Sequence, residues 1–328
     1  MDINQSLISK RDSTLLKGFL MLLIVLGHNS ILMQARCIYD YLYNFHVHVF
    51  LLLPFLYNIP QLTFKRVKKD FIHIYKPYTI IFLILVIINT FILNNKFNLE
   101  GTLYAYVSAN DYLLKKYVGG SFLWFMPTMF TLLLLRNWLM DKPAKILWSC
   151  VIISFAAFLA IRVFRYTSVY SHPYIIMGGT VSIISFSLAV ISRYIFERYH
   201  NTKYFYHIAC SVFIMATIIC FVLPRGITYY FIAKCILTIS ALYTFIFLVQ
   251  KLRDNNIITK ILNYLGKESL PIYLFHVIIY NAILLVIQKT HIAETYSIGA
   301  VSYLATLAIT IILIYFCKKI KIYNIIFN

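Results

Sequence analysis

Apolar residues run along this chain in long blocks separated by short polar loops, which is the pattern of membrane crossings rather than of amphipathic surface helices. Windows of roughly 17 to 25 apolar residues, enough to cross a hydrocarbon core of about 30 Å, fall near 15–33, 41–58, 74–93, 118–137, 146–164, 174–192, 206–223, 228–249, 269–288 and 298–317. The pattern predicts an all-α integral membrane protein, a bundle of about ten transmembrane helices. The second window is the least regular, because it contains His46, His48 and Pro54. No Pro/Gly/Ser-rich linker or polar block of domain size interrupts the series. A single integral domain over 1–328 is therefore expected, without an appended soluble domain.

Composition sharpens this reading. Hydrophobic residues make up 61% of the chain and charged residues 12%, and the mean hydropathy is +0.78, which excludes a soluble globular domain. A net charge of +19 would suit a nucleic-acid binder, but the basic residues sit in short loops between apolar spans. Lipid and topology, not nucleic acid, account for them. An even number of crossings puts both termini on one side. Of the 30 lysines and arginines, 21 then fall on the terminal side and eight on the other. The positive-inside bias places both termini in the cytoplasm of a multi-pass protein, expected in a bacterial plasma membrane. The six cysteines show no paired spacing and read as packing residues, with neither zinc nor a disulfide framework implied. The first span has no short apolar core with a small-residue cleavage site, so it reads as a retained helix.

Candidate chemistry begins in RDSTLLKGFLMLLIVLGH, residues 11–28, where an apolar span holds Lys17 at its start and His28 far inside it. An ionisable group in hydrocarbon costs several kcal/mol unless it faces a partner or a cavity. Eleven residues bring the two side chains back to nearly the same helix face, about 16 Å apart along the axis. Counting about 1.5 Å per residue, His28 lies about 20 Å from the cytoplasmic start of its span, while His46 and Trp124 lie about 8 and 9 Å below the outer face. The same count puts His276 about 9 Å in from the cytoplasm. Lys17, Lys69, His73 and Lys76 line the cytoplasmic mouth, giving a basic vestibule that leads to an imidazole layer. Simpler roles compete at each position: a snorkelling Lys17, interhelical hydrogen bonds for His28 and His276, packing for His46 and His48, and an aromatic-belt Trp124. The lysine-rich loop also suits a topology signal in contact with anionic lipid. Arg162, Arg165 and His172 read as interfacial residues of the outer face.

Four stretches in this order resemble the blocks of the membrane-bound acyltransferase-3 family: LLKGFLMLLIVLGH (15–28), the FH of YNFHVHVFLLLPF (43–55), SFLWFMPTMF (121–130) and LGKESLPIYLFH (265–276). The resemblance runs from Arg11 to Phe316. It implies transfer of an acyl group, usually acetyl, from cytoplasmic acyl-CoA to a sugar hydroxyl of a cell-surface or lipid-linked glycan. The basic residue, ten residues and histidine of the family's first helix are Lys17 and His28 here, and the family gives that histidine the leading catalytic role. An imidazole suits the task, since its ordinary pKa near 6.5 lets it take a hydroxyl proton near neutrality. Lys17 is paired with it as the neighbouring cation. His46, Trp124 and His276 are assigned to substrate binding, and Lys69, His73 and Lys76 to the phosphates of acetyl-CoA or another acyl-CoA, with no metal. Direct transfer ranks above an acyl-imidazole intermediate, because no second nucleophile or relay is evident beside His28.

The chain also departs from the family. Its arginine pair, spaced R-x-x-R, is replaced in KRVKKDFIHIYKPY (65–78) by Asp70 and His73, although Tyr75, Pro77 and Tyr78 remain. The second block lacks the common proline and Ser-Gly after its FH. The rival reading is a polytopic transporter or flippase for a glycan or small solute, since polar residues inside a bundle also make a translocation path. The two halves show no inverted repeat of broken helices, a frequent transporter feature. A non-catalytic assembly or export component is the third possibility.

Overall fold

The computed structural model describes residues 6–34, 36–93, 95–167, 177–223, 228–254 and 256–327. His172 and the side chains of Cys37, Arg162 and Arg165 lie outside the described residues. Every regular element among the described residues is helical. Among the described residues, six helices are long and apolar enough to cross a membrane: Phe64–Ile92, Ser121–Leu139, Phe205–Val222, Tyr229–Gln250, Ser269–Lys289 and Tyr296–Lys319. The chain packs as two compact units, one built from Ser6–Tyr57 and Ser192–Ile322, the other mainly from Asn58–Ile191.

The first unit contains α1 (Lys10–Gly27), α2 (Arg36–Tyr43) and α3 (His46–Leu52). Ser9 caps α1 by accepting from the Asp12 N–H. The helix ends at Gly27, several residues before the apolar window does, and residues 28–34 form a turn. Irregular backbone at membrane depth must find its hydrogen bonds inside the protein. Buried Asn29 meets that need: its amide donates to Gly299 O (3.1 Å) and Ser302 Oγ (2.9 Å), and its Oδ1 accepts from Leu32 N (2.9 Å). The Tyr280 hydroxyl accepts from Ile31 N (3.3 Å) and pairs with Ser30 Oγ (2.8 Å).

The second crossing is broken as well. α2 stops at Tyr43, α3 starts at His46, and a 3₁₀ turn follows over Leu53–Leu56. Side chains again satisfy the carbonyls that the break releases. Thr238 Oγ1 donates to Asn44 O (3.2 Å), and Arg193, with 0% of its surface exposed, donates to Phe55 O (2.5 Å) and Tyr57 O (2.9 Å). Arg193 thus serves a backbone that cannot reach water, beyond the topological charge the sequence suggested.

A further second unit lies between these segments in the chain: α4 (Phe64–Ile87), α5 (Leu99–Ser108), α6 (Phe125–Leu139), α7 (Ala144–Thr167) and the start of α8 (Met177–Tyr199). α4 begins ten residues before the predicted window, capped by Thr63, so the lysine-rich loop is itself helical. Phe71 and Tyr75 of α4 pack on Phe130 of α6 with ring centres 5.6 and 5.3 Å apart. Tyr78 donates to Tyr106 O on α5 at 2.9 Å.

The first unit resumes with the end of α8, then α9 (Phe205–Val222), α10 (Thr228–Gln250), α11 (Ile257–Lys267), α12 (Ser269–Lys289) and α13 (Tyr296–Lys319). α11 is too short to span, yet it is the element most tightly joined to α1. A Cβ on Gly18 would lie 2.0 Å from Leu262 O, and one on Gly266 would lie 1.8 Å from Thr14 O. Only glycine permits this backbone approach. Thr259, Leu262 and Leu265 are buried on the same side, whereas Ile257, Ile261 and Tyr264 are exposed. Arg11 hydrogen-bonds Asp254 and Leu252 O, tying the start of α1 to the chain just before α11.

Candidate active site

α1 delivers His28 to its own C-terminal end, where the His28 N–H still bonds to Ile24 O (3.2 Å) and the ring leaves the helix. Four rings, those of His28, His276, Tyr43 and His46, meet there. The His276 ring from α12 lies 5.1 Å from that of His28, centre to centre, tilted by 60°. Tyr43, the last residue of α2, stands edge-on to His28 at 6.2 Å and to His46 at 4.8 Å. Its hydroxyl donates to Gly27 O (3.3 Å). Gly27 makes this approach possible, since a Cβ there would sit 3.3 Å from Tyr43 Cε2 and 3.4 Å from His46 Nε2.

The three histidines are not equivalent. His46 and His276 have 0% of their surface exposed, while His28 is partly open. Nδ1 of His46 lies on Leu42 O, and Nδ1 of His276 lies 3.0 Å from Ile272 O. A carbonyl can only accept, so each Nδ1 carries the proton and each neutral ring keeps its lone pair on Nε2. Nε2 of His46 is buried without a hydrogen-bond partner among the described residues. A buried acceptor of this kind costs about 1–3 kcal/mol until a donor arrives. Neither His28 ring nitrogen is hydrogen-bonded among the described residues. Lys234 and His28 are the electrostatic neighbours of His46, and Lys234 also acts on His48, which is half-buried.

Lys17 is not brought to this cluster. Its Nζ lies 5.6 Å from the centre of the Tyr57 ring, whose hydroxyl pairs with Ser13 Oγ, about 16 Å along α1 from His28. His276 departs from its expected depth in the other direction. The residue count assumed that its helix starts at the bilayer surface, but α12 follows directly on α11, and Glu268, just before its first residue, is only 8% exposed. The count began from a point already inside the protein.

The remaining candidates belong to the second unit. Lys69, His73 and Lys76 fall at i, i+4 and i+7 on α4 and so share one face. Lys69 and His73 are exposed and Lys76 is half-buried. Asp70, in the place of a family arginine, is buried and accepts from Arg66 Nε at 3.0 Å. Its charge is thereby met by the adjacent row and leaves the lysine face cationic. Trp124 is half-buried in the 3₁₀ turn Ser121–Trp124 that opens α6, and its carbonyl accepts from Thr128 Oγ1 (3.0 Å). Among the described residues, no group of three or more His, Cys, Asp or Glu is arranged to hold a metal ion.

Tyr43, Asn29 and Tyr280 are site residues that the motifs did not supply. The one available signal was the polar pair Asn29-Ser30 directly after His28, which breaks an otherwise apolar run. No curated protein and no solved structure matches this chain. The acyltransferase-3 family model, described as an acyltransferase domain, matches residues 11–318, and it spans both the histidine-bearing α1 and the His276 helix: the chain belongs to the acyltransferase-3 family.

Proposed function

We propose that the protein is an acyl-CoA-dependent O-acetyltransferase that acts on a sugar hydroxyl of a cell-surface or lipid-linked glycan, with His28 as general base. The observation that carries this reading is the inequality of the three imidazoles: one on a partly exposed residue with unengaged nitrogens, backed by two buried rings whose tautomers are fixed. In the proposed reaction a His28 ring nitrogen takes the hydroxyl proton as the sugar oxygen attacks the thioester carbonyl. The C–S bond then breaks, and the departing CoA sulfur recovers the proton. The orphan Nε2 of His46 accepts from an acceptor hydroxyl and orients it, and His276 holds the His28 ring from the side. Lys17 takes no direct part in this chemistry.

The cationic face of α4 contributes contacts to the CoA phosphates, and Trp124 contacts substrate. Ten crossings with both termini in the cytoplasm complete the proposal, made by the six long apolar helices together with α1, the broken α2–α3 segment, α7 and α8. A bacterial plasma membrane is the proposed location, and residues 1–328 act as one catalytic domain. Mass spectrometry of surface glycans from cells with and without the gene tests the reading. Loss of an acetyl increment, restored by the wild-type gene and not by His28→Ala, is expected. An unchanged glycan profile would overturn it.

A further inference from the structure

Apart from the imidazole cluster, the first unit contains a cavity of about 410 Å³ between the end of α8, the first two turns of α9 and the middle of α10. That size falls within the range of small-molecule sites. Its wall is apolar, with Ile195, Tyr199, Phe205, Ala209, Val212 and Tyr243 among the lining residues. Three of the hydroxyls along it are already occupied. Tyr243 donates to Ser192 O (2.7 Å), Ser240 to Ile236 O (2.8 Å) and Thr202 to Tyr199 O (2.8 Å). Among the lining hydroxyls only that of Tyr199, at the exposed end, is left for a polar partner. The rim is open, since Ile208 is 60% exposed and Ile236 45%. On a membrane-embedded helix that opening faces hydrocarbon.

One end of the groove differs from the rest. The last turn of α8 carries Arg198 beside it and the turn that follows carries Lys203, both exposed. The Arg198 guanidinium lies 5.7 Å from the ring centre of Tyr199, which lines the groove, and Lys203 directly follows Thr202, which also lines it. Glu197 is the one acid between 192 and 222, and its Oε2 is buried. A dry hydrocarbon slot about two helical turns long therefore ends in two exposed cations. This charge pattern fits an amphiphile with one flexible chain and an anionic head.

We propose that the groove is a binding site for one acyl chain of an anionic phospholipid, whose headgroup phosphate meets Arg198 and Lys203. The lysines and arginines at a membrane surface attract anionic lipid individually and weakly; the adjoining slot converts that attraction into a defined site. The proposal is independent of acyl transfer, and its test reads lipid alone.

The full chain, purified in detergent, is equilibrated with phosphatidylglycerol or phosphatidylcholine, and bound lipid is counted by native mass spectrometry. Wild-type protein is expected to retain one phosphatidylglycerol in preference to phosphatidylcholine. Arg198→Gln with Lys203→Gln should lower that preference by roughly ten- to thirty-fold, and Ala209→Phe should remove the bound lipid by filling the slot. Equal retention of the two lipids by wild type, or full retention by Ala209→Phe, would overturn the proposal. Tighter retention of a polyprenyl phosphate would overturn the choice of occupant. Should Ala209→Phe fail to fold, a phosphatidylglycerol with a photoreactive chain serves on the wild type. Crosslinks concentrated in 205–212 and 236–243 are expected, and crosslinks spread evenly over the apolar helices would count against the site.

Discussion

The imidazole end of α1 and the cationic face of α4 both offer nitrogen to a ligand, and they are constructed in opposite ways. Around His28 the supporting groups are buried, and backbone carbonyls fix the ring nitrogens of His46 and His276. On α4, Lys69 and His73 are exposed, and only helical spacing aligns them with Lys76. The first arrangement fixes geometry, as proton transfer demands, because a base must lie within hydrogen-bond reach of the proton it takes. The second fixes only charge, which suffices for phosphates, because Coulomb attraction tolerates displacement and is screened by salt. Substitutions should therefore act steeply at the first region and gradually at the second.

The steepest effect is expected at His28. General-base assistance is worth about 10² to 10⁴ in rate, so His28→Gln should lose acetyl transfer by that factor in a reconstituted assay while still binding acyl-CoA. Near-full activity in this variant would make His28 structural and erase the contrast. Next comes the glycine contact that fixes α1. Gly266→Ala drives a methyl group into Thr14 O, and overpacking of this kind costs about 1–3 kcal/mol or more. The thermal midpoint in detergent should fall clearly. Gly120→Ala provides the control, since its nearest contact is the movable Leu85 side chain, and it should be better tolerated.

Asn29→Ala should cost about 1–3 kcal/mol through the groups it leaves unpaired, and transfer should decline more than acyl-CoA affinity. Asn29→Asp keeps the acceptor for Leu32 N but turns a buried carboxylate oxygen onto Gly299 O, so it should fall below Ala. Equal behaviour of the two variants would assign the turn to packing alone. The smallest effect is expected on α4. Lys69→Ala with Lys76→Ala should weaken CoA binding a few-fold, since exposed ionic contacts are each worth under about 1 kcal/mol. Binding measured at low and high salt should show the gap closing. An affinity equal to wild type at low salt would move the donor site elsewhere.

Sequence patterns captured what depends on composition along a single helix. The windows at 206–223, 228–249, 269–288 and 298–317 match α9, α10, α12 and α13 to within two residues, because an apolar run bounded by charge has few alternatives in lipid. The polar helices escaped. Ile257–Lys267 carries apolar residues on two faces yet is too short for a span, and Leu99–Ser108 falls between two apolar windows. His28 and His46 were identified by their place in an apolar span. The proximity of His276 to His28 was not, since it depends on how α12 is seated against α1, which no local count records. Gly18 and Gly266 carried their signal as glycines within helices, although only the packed structure pairs each with a facing carbonyl.

The turn after His28 also bears on the order of manufacture. Its polar groups are satisfied by Tyr280, Gly299 and Ser302, some 250 to 273 positions further along the chain. At about 5 to 20 residues per second, roughly 14 to 55 s separate synthesis of Asn29 from that of Ser302. Throughout that interval the Asn29 amide lacks its final acceptors and must borrow others from water, lipid headgroups or the insertion machinery. The first helix to be made is thus the last to be finished, and a nascent chain interrupted before α13 would lack the contacts that shape its candidate base.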